Sequence, residues 1–127
     1  LNTGRILYHW HGGTLTRRSA ALLERVPELE IAIHADDGER YGVADGEWVR
    51  VRSRRGDLEA RARYTDRQRP GELFVPFVKL QEHAANFLTN AALDPASRIP
   101  EYKVCAVRID RLKPDGGGAG VPGRNRR

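Results

Sequence analysis

The chain has a single cysteine, Cys105, and no methionine. One thiol excludes an internal disulfide framework and cannot by itself supply a zinc or iron–sulfur site. No stretch approaches the ~18–20 consecutive apolar residues of a membrane-spanning helix, and no basic segment followed by an apolar one opens the chain. Neither a membrane span nor an export signal is therefore expected. Aromatic residues make up 7% of the sequence, which is sparse for a stacking surface that grips single-stranded nucleic acid. No nucleic-acid partner is expected. The first residue is Leu1, so the chain reads as processed or as a piece of something longer.

What is present suits one soluble domain: 127 residues, 39% hydrophobic and 31% charged, enough to close a single core. The formal net charge of +5 favours anionic partners such as phosphates. From Pro114 the sequence runs PDGGGAGVPGRNRR, a composition that cannot bury a core and is expected to form a disordered tail over 114–127. The folded body is then 1–113. The tail carries three arginines and one aspartate, so the body keeps +3 of the charge.

Short runs rich in β-branched residues, punctuated by turn residues, dominate the body and predict strands. Candidates are Ile6 to Trp10, Leu29 to Ile33, Trp48 to Arg52 and Glu72 to Phe77. Val49 and Val51 share one face of the third, and in DLEARARY the residues Leu58, Ala60, Ala62 and Tyr64 oppose Asp57, Glu59, Arg61 and Arg63. Arg54, Arg55 and Gly56 form the hairpin turn between them. Lys103 to Ile109 is apolar on both faces, which predicts a central strand holding Cys105 inside. Two short helices are expected, Arg17 to Arg25 with Thr16 as its N-cap, and Ala35 to Tyr41 stopped by Gly42. Asp45 and Gly46 supply a tight turn before the Trp48 strand. The body is thus mainly β with short helices, and it contains no internal repeat.

Two clusters carry the chemistry. In TGRILYHWHGGTLT, from Thr3 to Thr16, glycines at 4, 12 and 13 let backbone N–H groups approach an anion, Arg5 offers a planar fork for phosphate oxygens, and His9 and His11 flank Trp10. On residues alone, the glycines read first as turn formers and the histidines as ordinary strand residues; the H-x-H pair projecting to one side as the start of a metal site is the minor alternative. In the second cluster, HAANFLTN followed by PEYK, Asn86, Asn90 and Lys103 can recognise the edge of a heterocycle, or cap turns and lie in solvent. No serine has a His and acid set. Glu28, Glu30, Asp36 and Asp37 read as structural carboxylates.

Taken in order, TGRILYHWHGGTLTRR, RRG, ELFVPF, NFLTNAALDP and PEYKVCAVRI resemble the C-terminal molybdopterin dinucleotide-binding domain of molybdopterin oxidoreductases. The resemblance spans Thr3 to about Asp110 and is closer to formate dehydrogenases than to periplasmic nitrate reductases. It implies a double-psi β-barrel. It also implies a molybdopterin guanine dinucleotide cofactor, two copies of which hold molybdenum or tungsten, with the metal ligated by other domains of the parent. The cofactor contacts carried over are Thr3, Gly4, Arg5, Ile6, Leu7, Tyr8, His9, Trp10, His11 and Gly12, with Asn86, Tyr102 and Lys103 later in the chain. Val78 and Lys79 stand where relatives often have an aromatic residue or a histidine.

The implied partners are the remaining domains or subunits of the oxidoreductase, with their iron–sulfur clusters. In that parent, formate is oxidised to carbon dioxide; the isolated chain is expected to be inactive. The implied location is cytoplasmic, with a periplasmic parent as the alternative. Two other readings remain: the same domain from a nitrate reductase, and a stand-alone double-psi barrel used as a binding module without redox activity. One solvent-open groove beside Arg5, His9 and Lys103 is expected.

Overall fold

The computed structural model describes residues 1–80, 82–101 and 103–112. The tail expected over 114–127 lies outside the described residues, as does Tyr102. Six strands form one sheet: β1 (Asn2–Gly4), β2 (Glu30–Ile33), β3 (Trp48–Arg52), β4 (Asp57–Tyr64), β5 (Leu73–Pro76) and β6 (Arg108–Arg111). Their spatial order is β1-β5-β2-β4-β3-β6. β1 runs parallel to β5 and β2 parallel to β4; the other neighbours are antiparallel. Helices α1 (Ala20–Arg25) and α2 (Ala35–Tyr41) and 3-10 turns at Thr16–Arg18 and Ala85–Phe87 complete the body.

Alternation builds the core. Ile31 and Ile33, Val49 and Val51, Leu58, Ala60 and Ala62, and Leu73 and Val75 point inward from β2, β3, β4 and β5. The opposite face of β4 carries Glu59, Arg61 and Arg63, which pair across strands. Arg50 reaches Glu59 at 2.6 Å, Arg61 reaches Glu28 at 2.8 Å, and Arg63 reaches Glu30 at 2.8 Å. The carboxylates Glu28 and Glu30 are thus strand-linking groups, and Asp37 accepts a hydrogen bond from the Gly71 amide.

The β3–β4 hairpin and α2 stand as the sequence predicts. α2 ends at Gly42, whose φ of 67° supplies the left-handed C-cap. The strand expected at Lys103 to Ile109 is different. Only Arg108–Arg111 pairs, and it pairs with β3 alone at the end of the sheet rather than at its centre. The reason is length: β3 ends at Arg52, opposite Arg108, so residues before Arg108 have no β3 backbone left to bond. Cys105 is buried outside any strand, between Ala106 and a Val104 that is 68% exposed.

The strand expected at Ile6 to Trp10 is also absent. Gly4, opposite Pro76, is the last residue of β1 in register with β5. The last bond there is from Phe77 N–H to the Gly4 carbonyl, at 2.8 Å. The helix expected over Arg17 to Arg25 divides into the 3-10 turn and α1, with Ser19 rather than Thr16 in the N-cap position of α1. Thr16 is engaged elsewhere, as described below.

Candidate functional site

Once β1 ends, the chain from Arg5 to Leu15 leaves the sheet as a loop. Ile6 packs against the core, while Leu7 is 88%, Tyr8 41% and Trp10 61% exposed. Among these open neighbours His9 turns inward and is 2% exposed. His11 adopts a φ of 47°, a left-handed conformation that histidine tolerates better than most residues. A turn closes here with Gly13 N–H donating to the Trp10 carbonyl at 2.9 Å. His9 and His11 therefore do not project together from a strand, and the H-x-H metal reading fails on geometry. Among the described residues, no group of three or more His, Cys, Asp or Glu side chains is placed to hold a metal ion.

The glycines have different reasons for being there. Gly13 has a φ of +79°, and a Cβ on it would lie 2.8 Å from Val78 Cγ2; a Cβ on Gly4 would meet the Phe74 ring at the same distance. Both are demanded by the fold itself. Around Gly12 nothing lies within 4 Å of a built Cβ, so its backbone is open to close approach from outside. Val78 is fully buried beneath Gly13, and Lys79 donates its backbone N–H to the Gly12 carbonyl at 3.2 Å. The two residues that depart from the family pattern thus support the floor of this loop.

Polar groups converge on the same turn. Arg5 Nη2 lies 3.2 Å from His11 Nε2, and its guanidinium sits 5.2 Å from the centre of the Trp10 ring. Trp10 and His11 meet edge to face at 4.6 Å. His9 Nδ1 lies 2.9 Å from Thr16 Oγ1, which also accepts the Trp10 N–H at 3.3 Å. His9 Nε2 is buried and has no hydrogen-bond partner among the described residues. Leaving a buried polar group unsatisfied costs on the order of 1–3 kcal/mol, so this orphan calls for an explanation.

A solvent-open groove of about 560 Å³ runs beside the loop, within the ~300–1,000 Å³ range usual for ligand sites. Arg5, Ile6, Leu7 and Tyr8 line one wall, with Phe74 and Pro76 from β5 below. Arg63, Thr65, Arg67 and Gln68 line the other. Glu30, also in the groove lining, accepts a hydrogen bond from Arg63 and raises the guanidinium pKa above its ordinary value, which leaves Arg67 and Arg5 as the groove's guanidinium groups outside that pair. Thr65, Arg67 and Gln68 follow β4 in a turn, and no motif in the sequence marks them.

The second cluster is only partly gathered in. Lys103 donates from Nζ to the Thr3 carbonyl at 3.1 Å and sits 5.8 Å from the Phe77 ring centre, at the base of the loop. It lines a separate hollow with Leu1, Asn2 and Glu72, so the single groove expected beside Arg5, His9 and Lys103 is instead two openings with His9 beneath the loop. Thr3 is buried in β1. Asn86 is exposed on the 3-10 turn at Ala85–Phe87. That turn packs on the β3–β4 hairpin, where Arg55 Nε donates to the Leu88 carbonyl at 3.0 Å.

The family model described as "Molydopterin dinucleotide binding domain" matches residues 1–106. The chain belongs to that family. Among curated relatives, the F420-dependent formate dehydrogenase subunit alpha of Methanocaldococcus jannaschii is 46% identical over 112 residues, covering 88% of this chain and 16% of the relative. The F420-dependent formate dehydrogenase 1 subunit alpha of Methanococcus maripaludis is 43% identical, with the same coverage. A nitrate reductase of Symbiobacterium thermophilum is 43% identical over 115 residues, covering 87% of this chain and 15% of the relative.

This molybdopterin dinucleotide-binding domain therefore spans about a sixth of the length of the curated relatives it matches. Acetylene hydratase from Pelobacter acetylenicus shares its fold, with a TM-score of 0.66 at 15% identity over 87% of this chain and 18% of that one. Among the described residues, no helix is long and apolar enough to cross a membrane.

Proposed function

We propose that this domain grips molybdopterin guanine dinucleotide as the last domain of a formate dehydrogenase. The observation that carries the reading is identity of 42–46% to formate dehydrogenase alpha subunits over 88% of the chain. The donor set is suited to such a ligand. Arg5 offers a fork for phosphate oxygens, the open Gly12 backbone admits close approach, and Trp10 and Tyr8 offer faces to a ring system. The orphaned His9 Nε2 lies buried beneath the loop, where a ligand reaches it only if the loop moves.

In the proposed complex, the loop from Thr3 to Gly12 holds the cofactor, with Lys103, Tyr102 and Asn86 as later contacts. When bound, the cofactor's metal supplies the two-electron redox chemistry, and its ligands come from other domains of the parent. This chain's residues bind and orient. Arg5 and Lys103 offset phosphate charge, and the exposed Leu7 and Trp10 exclude water from the covered face. The parent reaction is oxidation of formate to carbon dioxide, releasing two electrons and one proton, with the electrons passing to iron–sulfur clusters in partner domains or subunits.

The reading includes a folded unit over 1–113 closed as a double-psi β-barrel. Support for closure comes from Leu1, which donates to the Cys105 carbonyl at 2.8 Å and accepts from the Cys105 N–H at 3.2 Å. These bonds link the start of β1 to the segment leading into β6, the two ends of the sheet. A nitrate reductase parent is the second reading, favoured by the relative from Symbiobacterium thermophilum.

The test is calorimetric or NMR titration of the chain with GMP, GDP and a molybdopterin guanine dinucleotide preparation, comparing wild type with Arg5→Ala and Lys103→Ala. Saturable binding that weakens about tenfold on either substitution is expected, the loss of one charge-assisted contact. Absence of binding by all three at millimolar concentration overturns the loop as a self-sufficient grip. Formate-dependent against nitrate-dependent turnover of a viologen dye by the full-length parent separates the two parents.

A further inference from the structure

The Thr16 hydroxyl stands between a backbone donor and a histidine, and counting its hydrogens fixes the state of the ring. Trp10 N–H donates to Oγ1 at 3.3 Å, which leaves the hydroxyl proton needing an acceptor. The acceptor in reach is His9 Nδ1, at 2.9 Å. If Nδ1 accepts, the proton of the neutral ring is on Nε2, and only that N–H is unsatisfied. If Nδ1 carries the proton instead, both the hydroxyl proton and the Nε2 lone pair are left over. Either way one buried group, at Nε2, is left over; the first arrangement also gives the hydroxyl proton an acceptor within the protein, whereas the second leaves it to solvent on a half-buried side chain. The internal hydrogen bond at 2.9 Å favours the Nε2–H tautomer.

We propose that Thr16 is the positioning residue of this site: its hydroxyl fixes His9 as the Nε2–H tautomer, making the buried ring a hydrogen-bond donor at its free nitrogen. The atom that His9 recognises is then an acceptor, a phosphate or carbonyl oxygen, rather than an N–H. The same hydroxyl joins the two ends of the loop from His9 to Thr16, so one side chain sets both the loop's closure and its polarity. This explains why Thr16, a good N-cap by sequence, makes no cap bond to the helix that follows it. The proposal rests on the cofactor reading only for what the donor is for, and the ring state is measured without any ligand.

The experiment is a long-range proton–nitrogen correlation spectrum of the imidazole rings of the uniformly 15N-labelled full chain, taken at about pH 8 where histidine is neutral. Wild type is expected to show His9 protonated at Nε2, with Nδ1 unprotonated and accepting. Thr16→Val, which keeps the shape and removes the hydroxyl, is expected to yield a mixture of tautomers; Thr16→Ser restores the single form. Protonation of His9 at Nδ1 in wild type, or a valine variant with an unchanged ring spectrum, overturns the proposal. The wild-type spectrum decides even if the valine variant does not fold. In GDP titrations, Thr16→Val is expected to bind about tenfold more weakly, the loss of roughly one oriented hydrogen bond, with Thr16→Ser close to wild type. If wild type itself does not bind GDP, the loop is not a self-sufficient grip and the tautomer result stands by itself.

Discussion

Lys103 Nζ donates to the Thr3 carbonyl at 3.1 Å, joining residues one hundred positions apart at the base of the candidate loop. Because Lys103 is itself largely exposed, the net contribution of this hydrogen bond to stability is modest. Its importance is in where it places an ammonium group. Lys103→Met keeps the stem and removes the charge, so the urea midpoint is expected to move only slightly while GDP affinity drops about tenfold. A large loss of stability with unchanged affinity would assign the residue to the fold alone.

Gly12 and Gly13 are adjacent and are expected to respond differently to the same change. Gly13→Ala forces an L residue into a φ of +79° and a contact of 2.8 Å with Val78. A destabilisation of roughly 1–3 kcal/mol is expected in urea denaturation. Gly12→Ala projects a methyl group into open space and should leave stability within about 0.5 kcal/mol. Its effect is expected on ligand affinity, which titration reads directly.

Leu58 is 1% exposed near the start of β4, on its inward face and opposite Val51 of β3. Leu58→Ala deletes buried methyl groups from the core, and a loss of about 2–5 kcal/mol is expected. Chemical denaturation of the purified chain checks it.

Acid should destabilise the chain through two carboxylates. The Ala44 amide and then the Arg111 guanidinium hold the Glu47 pKa below its ordinary value. The Ser97 amide and hydroxyl, then the Ala96 amide, do the same for Asp94. A carboxyl with a lowered folded-state pKa contributes stability that is complete above the unfolded-state value and lost as pH falls through the folded-state value. The thermal midpoint is therefore expected to fall on acidification below about pH 5, and Glu47→Gln should flatten that dependence. An unchanged acid limb in Glu47→Gln would assign it to other groups.

His9 substitutions separate its two nitrogens. Glutamine carries an N–H donor at the distance of Nε2, while asparagine reaches only as far as Nδ1. His9→Gln is expected to retain more GDP affinity than His9→Asn. The reverse order would mean that the Thr16 side of the ring, rather than its free nitrogen, governs binding.

Period-two alternation in DLEARARY and WVRVR specified β3 and β4 directly, because in a strand bonded on both sides each residue's face follows from its parity. Gly42 likewise marked the end of α2, since a left-handed cap selects glycine whatever surrounds it. The ordered motifs from Thr3 to Asp110 sufficed to identify the family. Where alternation has no neighbouring backbone to pair with, it carries no such information. The β1–β5 register ends at Gly4 opposite Pro76, so the apolar segment Ile6 to Trp10 becomes a loop with His9 turned in. β3 runs out at Arg52, so the apolar segment before Arg108 has no strand to join.

Thr16 shows the same division at the level of one side chain. Its sequence position suits a helix cap, but a hydroxyl bonds whatever the fold brings near, and here that is His9 and Trp10. Thr65, Arg67 and Gln68 enter the groove only because β4 lies beside β2 and delivers its following turn to the loop. Residue types and periodicity are local properties, and they determined β3, β4, the Gly42 cap and the family. The groove walls, the fixed histidine and the Lys103–Thr3 link are contacts between segments far apart in sequence, which only the folded chain brings within bonding distance.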